Sequence, residues 1–165
     1  MSLSIIIPTL NEEAALPATL KSVAALTPAP FEVIVVDSSS QDRTVDIARA
    51  YGARVITGLP PGRAGQMNAG ARIAGGDQLC FLHADTELPA DFVSLADGVL
   101  GDPRTALAGF ISIMRGGAGV RRVTTAHNFL KTWYAPLLFR TISFFRGARL
   151  LFGDQVIICR RRDFE

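Results

Sequence analysis

Apolar residues gather in short runs that stop at polar or acidic ones. Ser4-Ile5-Ile6-Ile7-Pro8 leads into Thr9-Leu10-Asn11-Glu12-Glu13, and Val33-Ile34-Val35-Val36 into Asp37-Ser38-Ser39-Ser40-Gln41-Asp42. Leu79-Cys80-Phe81-Leu82 leads likewise into His83-Ala84-Asp85-Thr86. Such runs, β-branched or bulky and without alternation, read as strands buried on both faces, as in a parallel sheet. A helical-looking segment follows each run, so the units are β-α-β and the strand ends share one edge. Open α/β sheets bind ligands at that carboxyl edge. Thr9, Glu12, Asp37 and Asp85 all fall there.

The same pattern predicts strands over 3–8, 32–37, 53–57, 78–83, 105–113 and 155–160. Helices are expected over about 12–26, 42–51, 64–74 and 90–100, with Pro89 suited to the first turn of the last. A basic and apolar helical region covers about 119–148, and Pro136 is expected to break or kink it. Gly58-Leu59-Pro60-Pro61-Gly62 reads as a loop. No repeat or low-complexity tract appears. The expected fold class is α/β, a mostly parallel central sheet flanked by helices. At 165 residues the chain suits a single domain over 1–165, with halves 1–100 and 101–165.

Composition adds little until charge is followed along the chain. With 48% hydrophobic and 19% charged residues, wholesale disorder is excluded. The net charge of +2 hides an asymmetry. Residues 1–102 carry twelve acids and six bases, a net of −6, whereas 103–153 carry eight bases and no acid. Those bases alternate with Phe129, Trp133, Tyr134, Leu137, Leu138, Phe139, Phe144 and Phe145. The region fits peripheral contact with an anionic membrane or a phosphorylated lipid. It fits a plain core with a solvated rim equally well. Nucleic acid fits less well, because no nucleic-acid motif accompanies it, and no nucleic-acid partner is expected. Cys80 and Cys159 both lie in apolar runs and read as buried strand thiols of a reducing compartment. No leader pattern opens the chain and no run of about 18 apolar residues occurs. The expected location is cytoplasmic, or peripheral at the inner face of the membrane.

The edge residues invite chemistry. Thr9 or Asn11 would serve as a helix N-cap with acids in the first turn, and Asp42 as another. Asp37 is harder to reduce to capping, because a carboxylate at the end of a buried strand needs a donor. A nucleobase N–H or a ribose hydroxyl would supply one. His83 and Asp85, two apart on an extended strand, would face one point in space. Mg²⁺ or Mn²⁺, held by one or two protein ligands plus substrate phosphates, fits such a pair. Zinc would want further His or Cys ligands at suitable spacing. The loop Gly58–Gly65 matches neither G-x-G-x-x-G nor G-x-x-x-x-G-K-[ST], and no G-x-S-x-G occurs. Dinucleotide, P-loop and hydrolase-elbow readings are thereby excluded.

Order along the chain strengthens these signals. Pro8-Thr9-Leu10-Asn11-Glu12-Glu13, Asp37–Thr44, Gly62-Arg63-Ala64-Gly65-Gln66-Met67-Asn68-Ala69-Gly70-Ala71 and Phe81-Leu82-His83-Ala84-Asp85-Thr86 follow one another at telling spacings. The series resembles family 2 glycosyltransferases of the GT-A fold, strongly over 3–95 and moderately from Gly153-Asp154-Gln155 onwards. The wording of the third and fourth motifs resembles a bacterial branch named for arsenosugar biosynthesis or for association with radical-SAM and selenoprotein genes. A sugar nucleotidyltransferase would share the fold type but open on a Gly-rich loop, which this chain lacks.

The resemblance implies a nucleotide-diphosphate sugar donor, UDP- or GDP-linked, and an unidentified acceptor. It implies donor contacts from Pro8, Thr9, Leu10, Glu12, Asp37, Ser39, Asp42, Arg63, Asn68 and His83. Asp37 would hold the base and Arg63 the diphosphate. Asp85 would bind Mg²⁺ or Mn²⁺ as the second acid of the family's Asp-x-Asp motif, with His83 in place of the first. Transfer would invert the anomeric carbon by direct displacement, with a carboxylate base on the acceptor hydroxyl. In the family that base belongs to a Glu-Asp pair beyond a Gly-Gly-Phe-Pro-like loop. Neither occurs before Glu165, so a C-terminally shortened member is expected and Asp154 is the carboxylate left for the part. The alternative is a non-catalytic nucleotide-sugar-binding domain acting on a membrane or partner. A shortened sheet would leave an apolar edge for a partner or a second copy.

Overall fold

The structure, a computed structural model, describes residues 2–113, 115–116, 119–139 and 156–164. In chain order come strand β1 (Leu3–Thr9), helix α1 (Leu16–Ala24), β2 (Glu32–Asp37) and α2 (Thr44–Ala50). Then follow β3 (Arg54–Ile56), α3 (Arg63–Ile73), β4 (Gln78–Phe81) and α4 (Phe92–Leu100). The remainder holds β5 (Leu107–Phe110), β6 (Arg115–Gly116), β7 (Gly119–Val120), α5 (Arg122–Phe139), β8 (Val156–Arg160) and a helical turn, Arg161–Phe164. Two compact units result: Met1–Ala108 with Ile157–Glu165, and Gly109–Val156.

The main sheet has the order β3-β2-β1-β4-β8-β5. Strand β1 pairs in parallel with β2 on one side and β4 on the other, and β2 pairs in parallel with β3. Strand β8 returns antiparallel beside β4. The expected mostly parallel α/β sheet is what forms. Its cause is visible in β1, whose seven residues are all buried, with Ile5, Ile6 and Ile7 at 0% exposure. With both faces covered there is no reason for alternation. Each large aliphatic so buried contributes about 1.5–3 kcal/mol. Helix α1 buries Leu16, Thr19, Leu20 and Val23, the stripe a helix needs to lie on such a sheet.

On one face Ile6, Ile34, Val36, Leu79, Phe81 and Cys159 meet Ala71 and Ala74 of the α3 segment. Cys80 and Cys159 are buried free thiols in β4 and β8, as their apolar setting implied. Burial, then the neighbouring Cys159, pushes the Cys80 thiol well up; burial and then Asp163 push Cys159 up to about 11. Both are inert at neutral pH.

Some boundaries depart from expectation. Helix α1 starts at Leu16 rather than near 12, and α4 starts at Phe92, leaving Pro89 before the helix. Strand β4 stops at Phe81, so His83 and Asp85 are not on it. Residues 119–120 form β7, paired antiparallel with β6, where a helix was expected to begin. Helix α5 runs past Pro136 to Phe139, so Pro136 does not end it; residues 140–148 of the expected helix lie outside the described residues. The hairpin escaped notice because strands of two residues carry no periodicity.

Helix α3 is built of small residues because it lies close on the sheet. A Cβ placed on Gly70 would meet Ile6 Cγ2 at 2.5 Å and Val36 Cγ2 at 3.1 Å. Both neighbours are β-branched and fully buried, so neither can turn aside. Alanine favours a helix over glycine by about 1 kcal/mol, but overpacking costs about 1–3 kcal/mol. Gly70→Ala is therefore expected to lower the urea midpoint despite its better helix propensity.

Candidate functional site

Parallel pairing sets Thr9 opposite Asp37 at the carboxyl ends of β1 and β2. The Thr9 hydroxyl donates to Asp37 Oδ1 at 3.0 Å, and the Ser40 N–H to Oδ2 at 2.8 Å. The Ser40 hydroxyl also donates to Oδ1. Asp37 is only 1% exposed. The donor that its buried position demanded is supplied by the chain itself, so Asp37 organises the Ser38–Ser40 turn. A carboxylate has about four acceptor positions, and these bonds use three of them. Ser39, exposed at the tip, has φ 62°, a conformation that non-glycine residues hold only when their surroundings impose it.

The loops after β1 and β2 are cross-braced. The Asn11 N–H donates to Ser40 Oγ at 2.8 Å, and Asn11 Oδ1 accepts from the Gln41 N–H at 2.8 Å. The Glu12 N–H donates to Thr44 Oγ1 at 2.8 Å. The Glu13 N–H donates to Asp42 Oδ2 at 3.1 Å, while Glu13 Oε2 accepts from the Arg43 N–H at 3.1 Å. Capping is therefore not the part played by Thr9 or Asn11: helix α1 opens at Ala15 without a side-chain cap. Asp42 does serve its own helix start, accepting from the Thr44 N–H at 3.0 Å. Partial desolvation opposes its ionisation, yet the bonds from the Thr44 hydroxyl and N–H and from the Glu13 N–H outweigh it and hold Asp42 below its ordinary pKa. Asn11, at φ 54°, turns the chain at the tip of the first loop.

Gln66 was not singled out by sequence, and it joins these strands. Its Nε2 donates to Thr9 O at 2.8 Å and to Val36 O at 2.7 Å, and the residue is 5% exposed. An amide nitrogen has two donors, enough to tie the ends of β1 and β2 together from α3. The available signal was its company: a polar side chain among Ala64, Gly65, Ala69, Gly70 and Ala71 on a helix that had to face the sheet.

Strand order reverses between β1 and β4, the place at which open α/β sheets bind ligands outside their carboxyl ends. Glu12 comes from the loop that leaves β1 and Asp85 from the loop that leaves β4. Burial raises the Glu12 pKa first, the negative charge of Asp85 next, and that of Asp42 further, while Arg63 at the start of α3 partly offsets them. Glu12 thus feels charges carried on three other segments, those of Asp42, Arg63 and Asp85. Leu82 still bonds to β1, its N–H donating to Ile6 O at 2.9 Å, and the chain then turns, the Thr86 N–H donating to His83 O at 3.2 Å. His83 and Asp85 therefore share a turn, and the same-face argument for an extended strand does not apply to them. His83 is half-buried; Asp85 is exposed. Pro8 is buried in β1, and Leu10 lies 43% exposed just beyond it. Arg63 and Asn68 are both exposed on α3. Asp154 lies outside the described residues. Among the described residues no three His, Cys, Asp or Glu side chains converge as a metal cage. Glu12 and Asp85 offer hard oxygen donors, which suits a cation that keeps part of its shell for phosphates and water.

The sequence model of the family described as Glycosyl transferase family 2 matches residues 4–164. The chain belongs to that family. A glycosyltransferase of PGL/p-HBAD biosynthesis from Mycobacterium bovis BCG is 42% identical over 106 residues, 60% of this chain and 41% of the relative. This family 2 chain therefore spans less than half the length of that curated relative. Among solved structures, glucosyl-3-phosphoglycerate synthase from Mycobacterium tuberculosis, in complex with Mn²⁺, UDP and phosphoglyceric acid, is 26% identical with a TM-score of 0.63. The match covers 98% of this chain and 56% of the synthase. The mannosyltransferase PcManGT from Pyrobaculum calidifontis, in complex with GDP-Man and Mn²⁺, has a TM-score of 0.67 at 22% identity, covering 97% of this chain and 44% of that one. That likeness bears on the fold alone, which is GT-A.

Gln66→Leu keeps the volume and removes both donors, so it is expected to cost about 1–3 kcal/mol. Urea unfolding checks this, and Gln66→Glu, which cannot donate as a carboxylate, should cost at least as much. Glu12 gives a pH dependence. Its folded-state pKa lies above the ordinary 4.5, so its contribution is fully present below that pH and is lost as pH rises through the folded value. In metal-free buffer, Glu12→Gln is expected to flatten the fall of the urea midpoint above pH 4.5. It should also leave the chain more stable than wild type at neutral pH.

Proposed function

We propose that the chain binds a nucleotide-diphosphate sugar at the ends of β1, β2 and β4 and transfers the sugar to an acceptor with inversion. One observation carries the reading: the loops that leave β1, β2 and β4 carry Glu12, Asp42 and Asp85, and α3 opens with Arg63, at the edge of the sheet where strand order reverses. Burial raises the Glu12 pKa first, and repulsion from Asp85 and Asp42 adds to it. A divalent cation relieves that repulsion, and a diphosphate beside it answers Arg63. The mycobacterial synthase, solved with Mn²⁺ and UDP, supports the same pairing of cation and uridine nucleotide here.

On this reading Pro8, Thr9, Leu10, Ser39 and Asp42 border the nucleoside. Asp37 uses its remaining acceptor position for the base, on the turn that Ser39 and Ser40 shape. Arg63, Asn68 and His83 line the diphosphate and sugar. Asp85, with Glu12 beside it, would hold Mg²⁺ or Mn²⁺. When bound, the cation supplies neutralisation of the departing diphosphate, worth several kcal/mol. Arg63 adds fixed positive charge on the same side. Asp154 is the carboxylate proposed to take the acceptor proton, worth roughly 10²–10⁴-fold in rate. The Gly62–Ala71 and Leu82–Thr86 wording supports a place in the branch named for arsenosugar biosynthesis or radical-SAM association. Buried thiols in β4 and β8 suit a cytoplasmic setting.

A thermal-shift panel of UDP and GDP with Mn²⁺ or EDTA, on wild type and Asp85→Ala, tests the donor site. Ligand at about 100 times its Kd stabilises by about 2.7 kcal/mol, several degrees for a domain this size. A cation-dependent shift with one nucleotide, lost in Asp85→Ala, is the expected result. No shift from a protein that melts cooperatively would refute the reading. Binding without sugar transfer would leave the non-catalytic nucleotide-sugar-binding domain in its place.

A further inference from the structure

Helix α5 is turned inside out over its first turns. Val123 is 85% exposed, Leu130 57% and Phe129 51%, whereas Asn128 is only 6% exposed. Val123, Ala126, His127 and Leu130 stand at i, i+3, i+4 and i+7, so they form one solvent-facing stripe, with Phe129 at its border. A surface helix of a globular protein ordinarily sends such a stripe inwards and its polar residues out. In the same compact unit Ile113 and Val120 are also exposed.

Charge accompanies the stripe. Arg121 and Arg122 are exposed where α5 begins, and no acid lies in its first turn. Cations at a helix N-terminus oppose the macrodipole, so this end is set to meet an anion. No acid stands anywhere in 103–153 to provide one locally. Nucleic acid or an acidic protein face would answer the arginines and leave Val123, Phe129 and Leu130 in water. A lipid surface offers both partners within one layer: phosphates for the arginines and hydrocarbon for the stripe. Among the described residues no helix is long and apolar enough to cross a membrane, so the contact would be peripheral. We propose that the N-terminal half of α5 docks on an anionic lipid bilayer, independently of sugar transfer.

Co-sedimentation of the whole 165-residue chain with vesicles tests this. Phosphatidylcholine vesicles would be compared with phosphatidylcholine mixed with phosphatidylglycerol, each at low and high salt. The expected result is binding to the mixed vesicles that weakens with salt. Val123→Ser with Leu130→Ser should weaken it at least about tenfold, and Arg121→Glu with Arg122→Glu at least about fivefold per arginine. These side chains are exposed, so the variants should fold, and circular dichroism checks that. Wild-type binding to neither vesicle, or equally to both, would overturn the proposal without any variant. So would mixed-vesicle binding that both double variants leave unchanged. Association into a dimer that Val123→Ser with Leu130→Ser dissolves, without vesicle binding, would assign the stripe to a second copy. Binding to a DNA duplex but to no vesicle would assign the arginines to nucleic acid and overturn it equally.

Discussion

The parallel pairing of β1 between β2 and β4 is the constraint on which the rest depends. A strand hydrogen-bonded on both sides and buried on both faces has one register that keeps its isoleucines covered. That register sets Thr9 against Asp37 and Ile6 against Phe81. It therefore delivers the three loops carrying Glu12, Asp37 and Asp85 to one edge. It also creates the reversal of strand order beside β1. Everything polar at that edge rests on an apolar decision made several residues earlier.

Polar residues at the edge do two kinds of work: some brace the loops by hydrogen bonds, and some bring charge there. Asp37, Asp42, Asn11, Ser40, Thr44 and Gln66 spend their hydrogen bonds on one another and on strand-end carbonyls. Buried polar networks of this kind rigidify when fully satisfied and cost stability when partly broken. Glu12, Arg63 and Asp85 bring charge to the edge, and burial, then the charge of Asp85, raises the Glu12 pKa. Perturbed pKa values of this kind are common at functional sites. Glycine makes the arrangement possible from behind: Gly70 lets α3 approach β1 closely enough for Gln66 to reach two strands.

Amphipathic logic holds in α1 and reverses over the described first turns of α5. Helix α1 buries Leu16, Leu20 and Val23, as its spacing requires. Helix α5 exposes Val123 and Leu130 and buries Asn128. Composition foreshadowed a difference, since no acid occurs from Pro103 to Gly153 while the bases continue. Which face of α5 would be wet was not legible, because its apolar residues fall on more than one stripe and periodicity alone does not choose among them.

By itself the sequence determined the β-α-β units, the parallel character of β1, β2 and β4, and the candidate residues at their ends. Those signals are local: unbroken apolar runs, a polar stop, and motif order. Tertiary structure decided what each polar residue does there. Asp37 and Asn11 gained bracing parts across the sheet edge, because Thr9 and Gln41 lie about thirty residues from them in sequence. Gln66 gained its place because α3 crosses behind two strands, a contact of fifty-seven residues in separation. His83 and Asp85 lost their shared strand face because β4 ends at Phe81, where the chain turns. A side chain's partners depend on which segments meet in space, and only packing of the apolar runs brings those segments together.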